Sequence, residues 1–278
     1  MKALTSEINY LTDLGKIIKA YEEIAASRMQ NIRNEVVKNR EFTGQLNRIF
    51  YTVKNSYKKE LEKYKLSSAR GKNGKTARIF IAANTGLYGD MVYRIFNLFS
   101  EELKESPSDP VIVGRLGKTL FETTHRNQTF AYFEMPDREM ILTEIKKIVD
   151  YLAPYETVFV YHGLFKNILM QEAVSTNISG DSLAIPAERL PTRRLIFEPE
   201  IPKILHFFET EIFSGLLVHV IFESQLAKFS SRMAALEQAT VNIKKENLLA
   251  KMENTLLRRR VSDKKQLEMM AGMSLWGN

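Results

Sequence analysis

The chain has 278 residues, 44% of them hydrophobic, which allows one sizeable core plus an extended element, or two small domains. A net charge of +7 favours acidic partners, whether a protein face, an anionic membrane surface or nucleic acid, and the absence of cysteine excludes disulfide frameworks, thiolate nucleophiles and cysteine-ligated zinc. Met1 to Tyr10 lack a signal peptide's apolar run and no window reads as long enough to cross a bilayer, so a soluble intracellular protein is expected.

All eight prolines lie between Pro107 and Pro202. Proline breaks a helix interior, so the two proline-free flanks permit long helices. The N-terminal flank also carries a pattern. Spacings of three and four select Ile8, Leu11, Gly15, Ile18, Glu22, Ala25, Met29, Ile32, Val36, Asn39, Thr43, Leu46, Phe50, Val53 and Tyr57. Eleven of the fifteen are apolar or aromatic, and the register never slips. That is the seam of a coiled coil. The polar run Ser67–Lys75 reads as the loop that ends it.

The middle of the chain alternates between strand and helix. Ala77–Ala83 reads as a strand, followed by a glycine-containing loop and a helix over Met91–Leu103. Val111–Val113 and Phe130–Phe133 read as strands, Ile141–Leu152 as a helix and Thr157–Tyr161 as a strand. Met170–Ile178 and Leu195–Phe197 read as further strands. This order predicts a small α/β domain with a largely parallel sheet.

The C-terminal flank opens on Ile212, Phe213, Leu216, Leu217, Val220 and Ile221, then runs through the small residues Ala227, Ser230, Ser231, Ala234, Ala235 and Ala239. A helical pattern continues towards Leu267 with charge nearly all round, and such a helix needs a partner. The expected partner is the N-terminal helix, paired antiparallel over Ile8–Tyr57 and Ile212–Leu257. The expected fold class is therefore α/β with a long antiparallel coiled coil, divided as 1–66, 67–202 and 203–278.

Few residues invite chemistry. Gly74-Lys75-Thr76 and Gly117-Lys118-Thr119 look like the tail of a P-loop, but the required earlier glycine is replaced by Ala69 and Ile112. Asn84-Thr85-Gly86-Leu87-Tyr88-Gly89 is better placed for an anion, between a strand and a helix, yet it lacks a dinucleotide fingerprint's third glycine. It reads first as a tight turn. His125, His162, His206 and His219 are scattered, without metal-ligand spacing. No catalytic, cofactor-binding or metal residue is expected. Basic and acidic residues are interspersed along the helices, so nucleic acid is not an expected partner either.

Residues 223–242, ESQLAKFSSRMAALEQATVN, resemble a signature of the gamma subunit of F-type ATP synthases, carried by Glu223, Ser224, Ala227, Arg232, Met233, Ala234, Ala239, Thr240 and Asn242. Ile17–Met29, Thr85–Gly89, Val113–Lys118 and Phe197-Glu198-Pro199 are similar to further family segments, in the family's order. The chain departs from the pattern at Lys228, usually glutamate, and follows it only loosely over 258–278.

The resemblance implies a non-catalytic rotor shaft without a cofactor, coupling ion flow through a membrane ring to nucleotide turnover in a ring of alpha and beta subunits. Its other implied partners are an epsilon-type subunit and the membrane c-ring, at the cytoplasmic face of the cell membrane. Arg28, Met29, Arg232, Met233, Arg258, Arg259 and Arg260 are the implied partner contacts. Two alternatives stand beside this: a free-standing coiled-coil adaptor with a nucleotide-binding α/β head, and a gamma-like shaft of a different ring motor.

Overall fold

The computed structural model describes residues 2–56, 73–137, 141–179 and 201–275. The expected strand at Leu195–Phe197 lies outside these residues. The described elements are α1 (Lys2–Ser56), β1 (Thr76–Ile81), α2 (Met91–Glu105), β2 (Asp109–Val113), α3 (Arg115–Thr124), β3 (Ala131–Phe133), α4 (Leu142–Leu152), β4 (Thr157–Phe165), β5 (Gln171–Asn177) and α5 (Ile201–Leu275).

The long helices follow the predicted seam. Every seam position described from Ile8 to Phe50 is half-buried or buried, while the residues between them are mostly exposed. Helix α5 shows the same alternation through Leu236, Thr240, Ile243, Asn247, Ala250, Asn254 and Leu257, after which all described side chains are exposed. A three-four stripe this narrow is what a two-helix coil buries.

The chain divides into two units, Met1–Ala26 with Met233–Asn278, and Ser27–Arg232. In the first, the Asn247 amide donates to the Ile8 carbonyl at 3.4 Å and to Thr12 Oγ1 at 2.9 Å, and Gly15 faces Ile243. In the second, the Asn39 amide donates to the Gly215 carbonyl at 3.3 Å, and the Phe50 and Phe208 rings lie 6.2 Å apart. Within each unit, a later α1 residue meets an earlier α5 residue, so the pairing is antiparallel. Part of α5 is apolar and long enough to pass for a membrane span, contrary to the expectation from sequence, but 61% of that stretch is buried inside the protein. Its hydrophobicity serves the core.

The sheet has the order β3-β2-β1-β4-β5, with parallel pairing throughout except for the β4–β5 hairpin. Strands covered on both faces are buried along their length, and β1 (TARIFI) is buried from Ala77 to Ile81, its Arg78 paired with Glu102 at 2.9 Å. On one face, Ile79, Val111, Val158 and Val160 pack with Ile148 and Leu152 of α4 and with Phe213, Leu217 and Val220 of α5. On the other, Phe80 lies 5.6 Å from both Phe96 and Phe99, and Phe99 meets Tyr161 edge-on at 5.2 Å.

Sequence reasoning missed α3. The segment Val113–Lys118, matched there to the end of a strand, leaves β2 at Val113 and enters a helix at Arg115. Gly117 lies inside that helix because a Cβ there would sit 2.5 Å from the Cβ of Ala82. Close helix–strand packing, not a turn, requires the glycine.

Candidate functional site: a turn locked by the C-terminal helix

The turn Asn84–Gly89 leaves the carboxyl end of β1 and leads into α2. Connections from β1 build the sheet towards β2 and β3, and the chain then crosses back to β4 on the other side. Open parallel sheets bind ligands at such a reversal. Here the position is filled from within. The Asn84 amide donates to both Asp137 carboxylate oxygens at 3.0 Å, the Thr85 amide to one of them at 2.9 Å, and Thr85 Oγ1 to the same oxygen at 3.0 Å. The donors an external anion would need are taken by the chain's own carboxylate.

The side chain of Asn84 extends the network, donating to the Met135 carbonyl at 2.7 Å and accepting from the Arg115 amide at 2.8 Å. One residue thus ties the ends of three loops together. Gly89 and the exposed Leu87 have left-handed backbones, with φ of 58° and 67°. A leucine rarely adopts that region unless its surroundings impose it.

Those surroundings come from α5. Ser231 Oγ donates to the Tyr88 carbonyl at 2.8 Å. The Arg232 guanidinium donates to the Gly86 carbonyl at 2.6 Å and the Leu87 carbonyl at 3.1 Å, and stacks on the Tyr88 ring at 4.0 Å. Lys228, 4% exposed, donates from Nζ to the Ala82 carbonyl at 2.6 Å. Burial pushes its pKa down to about 8, against the attraction of the Asp137 carboxylate. Two residues after Lys228, Ser230 Oγ accepts from Gln171 Nε2 at 3.0 Å, which fixes α5 to the β4–β5 hairpin.

At Gly163 in β4, an added Cβ would lie 2.7 Å from the Cβ of Ala227 and 3.0 Å from Met91 Cε. Glycine on the strand and alanine on the helix let the two backbones approach.

The residues expected to contact partners fall into three groups. Arg232 makes its polar contacts to the chain's own turn. Arg28, Met29 and Met233 are half-buried, whereas Arg258, Arg259 and Arg260 are exposed and follow directly on Leu257, the last seam residue. The P-loop look-alikes have no P-loop geometry, since Gly74 lies two residues before β1, ahead of a strand and not after one, and Gly117 lies inside α3.

Two of the described histidines are tied into the chain's own packing. His125 Nε2 bonds Ser100 Oγ at 2.9 Å, and its ring stacks on Phe121. His162 is buried, with Nε2 2.8 Å from Thr176 Oγ1. His219 is half-buried, and burial lowers its pKa. The side chain of His206 is outside those described.

Sequence reasoning missed Asp137, Ser231 and Gln171. Asp137 lies 53 residues from Asn84, and no local pattern links the two.

The sequence model described as ATP synthase matches residues 1–262. Among curated relatives, the ATP synthase gamma chain of Methylobacillus flagellatus is 24% identical over 257 residues, covering 87% of this chain and 88% of the relative. The ATP synthase gamma chain of Rickettsia akari is 23% identical over 294 residues, covering 98% of each. In fold, the chain is similar to one from the central stalk/c-ring structure of the Tetrahymena thermophila mitochondrial ATP synthase. That match has a TM-score of 0.58 at 19% identity and covers 81% of this chain and 99% of the other. A chain of the Euglena gracilis mitochondrial ATP synthase gives a TM-score of 0.51 at 12% identity, covering 90% and 94%.

Proposed function

The chain belongs to the ATP synthase family and is homologous to its gamma chains, and from that premise we propose that it is the non-catalytic central shaft of a rotary, ion-transporting ATPase. The paired seams of α1 and α5 carry this reading, because a shaft must pass force along its length without separating. A coil whose a and d positions are filled at every turn resists that separation. Residues 1–66 and 203–278 supply the shaft, and 67–202 supply the domain at its base.

In this reading the shaft turns inside a ring of alpha and beta subunits, and the base docks on an epsilon-type subunit and the membrane c-ring. The complex sits peripherally at the cytoplasmic face of the cell membrane. Arg258, Arg259 and Arg260, with Arg28, Met29 and Met233, contact partners, while Arg232 acts inside the chain. Exposed arginines past the end of a seam suit carboxylates on a surrounding ring, since the guanidinium pairs bidentately and stays charged at working pH.

Asp137 favours the non-catalytic reading over a nucleotide-binding head. A phosphate at the Asn84–Thr85 amides would have to displace a carboxylate already held by three donors.

The test is to purify the tagged chain from native membranes and titrate the isolated chain with ATP. Alpha and beta subunits should accompany the chain, and the titration should show no stoichiometric binding at micromolar ATP. A chain recovered alone, with tight ATP binding, would contradict the proposal.

A further inference from the structure

A buried ammonium is costly to keep, and Lys228 sits where α5, the end of β1 and the Asn84–Thr85 turn meet. We propose that Lys228 is a positioning residue of the shaft: by bonding the Ala82 carbonyl and attracting the Asp137 carboxylate, it keeps that carboxylate docked on the turn, and the docked turn joins α5 to the sheet for torque transfer.

The torque clause rests on the shaft reading above; the docking clause does not. Three observations support docking. The ammonium is bonded to the carbonyl of Ala82, two residues before Asn84. Asp137 is the carboxylate whose field acts on it. The same carboxylate fixes Asn84 and Thr85, and Arg232 on the next turn of α5 grips the carbonyls of Gly86 and Leu87. Helix and turn are therefore held twice, once by the Arg232 clamp and once through Lys228 and Asp137. Among the described residues, the other titratable or charged groups around this junction include Tyr88, raised by burial, Arg232 itself, and the Arg115–Glu134 ion pair, whose Arg115 amide bonds the Asn84 side chain.

The pH behaviour has two signs. When Asp137 undocks alone, Lys228 stays buried and loses an attracting charge, so the docked state binds more protons. Docking therefore weakens as pH rises through about 8. If α5 lifts off instead, Lys228 reaches water and regains its ordinary pKa of 10.5, so that opening becomes rarer as pH rises above about 8.

Hydrogen exchange resolved at the Asn84 and Thr85 amides of the full chain, with intrinsic rates divided out, tests docking from pH 6.5 to 9.5. The parent should lose protection as pH rises towards about 8 and level off above it. Lys228→Met, which keeps side-chain length without a charge, should exchange about tenfold faster at pH 7 and show no such step. Asp137→Asn should behave in the same way. Equal protection in parent and Lys228→Met across this range, or a parent step of opposite sign, would overturn the docking role.

In the assembled ATPase, ions moved per ATP hydrolysed should fall at least twofold in Lys228→Met, with the complex still assembled. Faster exchange with unchanged coupling would overturn the torque role alone. A parent chain that joins no ATPase would overturn the shaft reading and leave the exchange result to judge docking.

Discussion

The Arg232 guanidinium lies 4.0 Å from the centre of the Tyr88 ring while donating to the Gly86 and Leu87 carbonyls on either side of the turn's left-handed leucine. A residue implied by resemblance to be a partner contact therefore works first as an internal clamp.

Replacing Arg232 with alanine removes hydrogen bonds to the Gly86 and Leu87 carbonyls and to Thr85 Oγ1, and cation–π contacts with Tyr88 and Phe229. Hydrogen bonds to charged groups contribute about 1.5–3 kcal/mol, and this side chain is half exposed, so a loss of about 2 kcal/mol is expected. Urea unfolding should show it as a lower midpoint. Arg232→Lys should recover less than half, because an ammonium cannot span two carbonyls as a guanidinium does.

Gly163→Ala should destabilise through crowding. The new methyl would meet the Cβ of Ala227 at 2.7 Å, with both atoms on backbone-fixed positions. Overpacking of this kind costs about 1–3 kcal/mol. Thermal unfolding of the variant should show a lower midpoint, and the double variant Gly163→Ala with Ala227→Gly should regain part of the loss. An unchanged midpoint in the single variant would mean the strand–helix approach has slack.

His162 predicts an acid limb. Burial pushes its pKa down from 6.5 to about 4. Between those values the unfolded chain binds a proton that the folded chain does not. The contribution of His162 is thus complete above pH 6.5 and is lost as pH falls towards 4, by about 3 kcal/mol in all. His162→Gln should have a flatter stability profile over that window. Equal slopes would exclude His162 as a source of the acid limb.

Arg259→Ala together with Arg260→Ala should change the turnover or coupling of the assembled ATPase, most clearly at low salt, where screening is weakest. Exposed ion pairs stabilise by only about 0–1 kcal/mol each, so assembly should survive. A double variant that matches the parent at low ionic strength would remove these arginines from the ring contact.

The coil was legible because its signal repeats: each seam residue from Ile8 to Phe50 adds to one period, and a single polar position such as Glu22 cannot mask it. The parallel sheet was legible because β1, β2 and β4 each carry a run of apolar residues, Ile79–Ile81, Val111–Val113 and Val158–Val160. Helix α3 was not, because Gly117 and the threonines Thr119, Thr123 and Thr124 read locally as a breaker and β-formers, and the reason for the glycine is Ala82, thirty-five positions earlier. The turn was legible as a turn; its occupant was not. A carboxylate brought from Asp137 by the return of β3 leaves no trace near Asn84, so the sequence showed an anion-shaped turn and could not show that the anion was already there.

Rotation is the most direct test. The chain contains no cysteine, so Leu169→Cys, at an 86% exposed position on the β4–β5 hairpin tip, provides a unique attachment point. A bead on that cysteine, with the alpha and beta ring fixed to glass and ATP supplied, should turn persistently in one direction and stop when ATP is withdrawn. A stationary bead on a complex that still hydrolyses ATP at the parent rate would contradict the account.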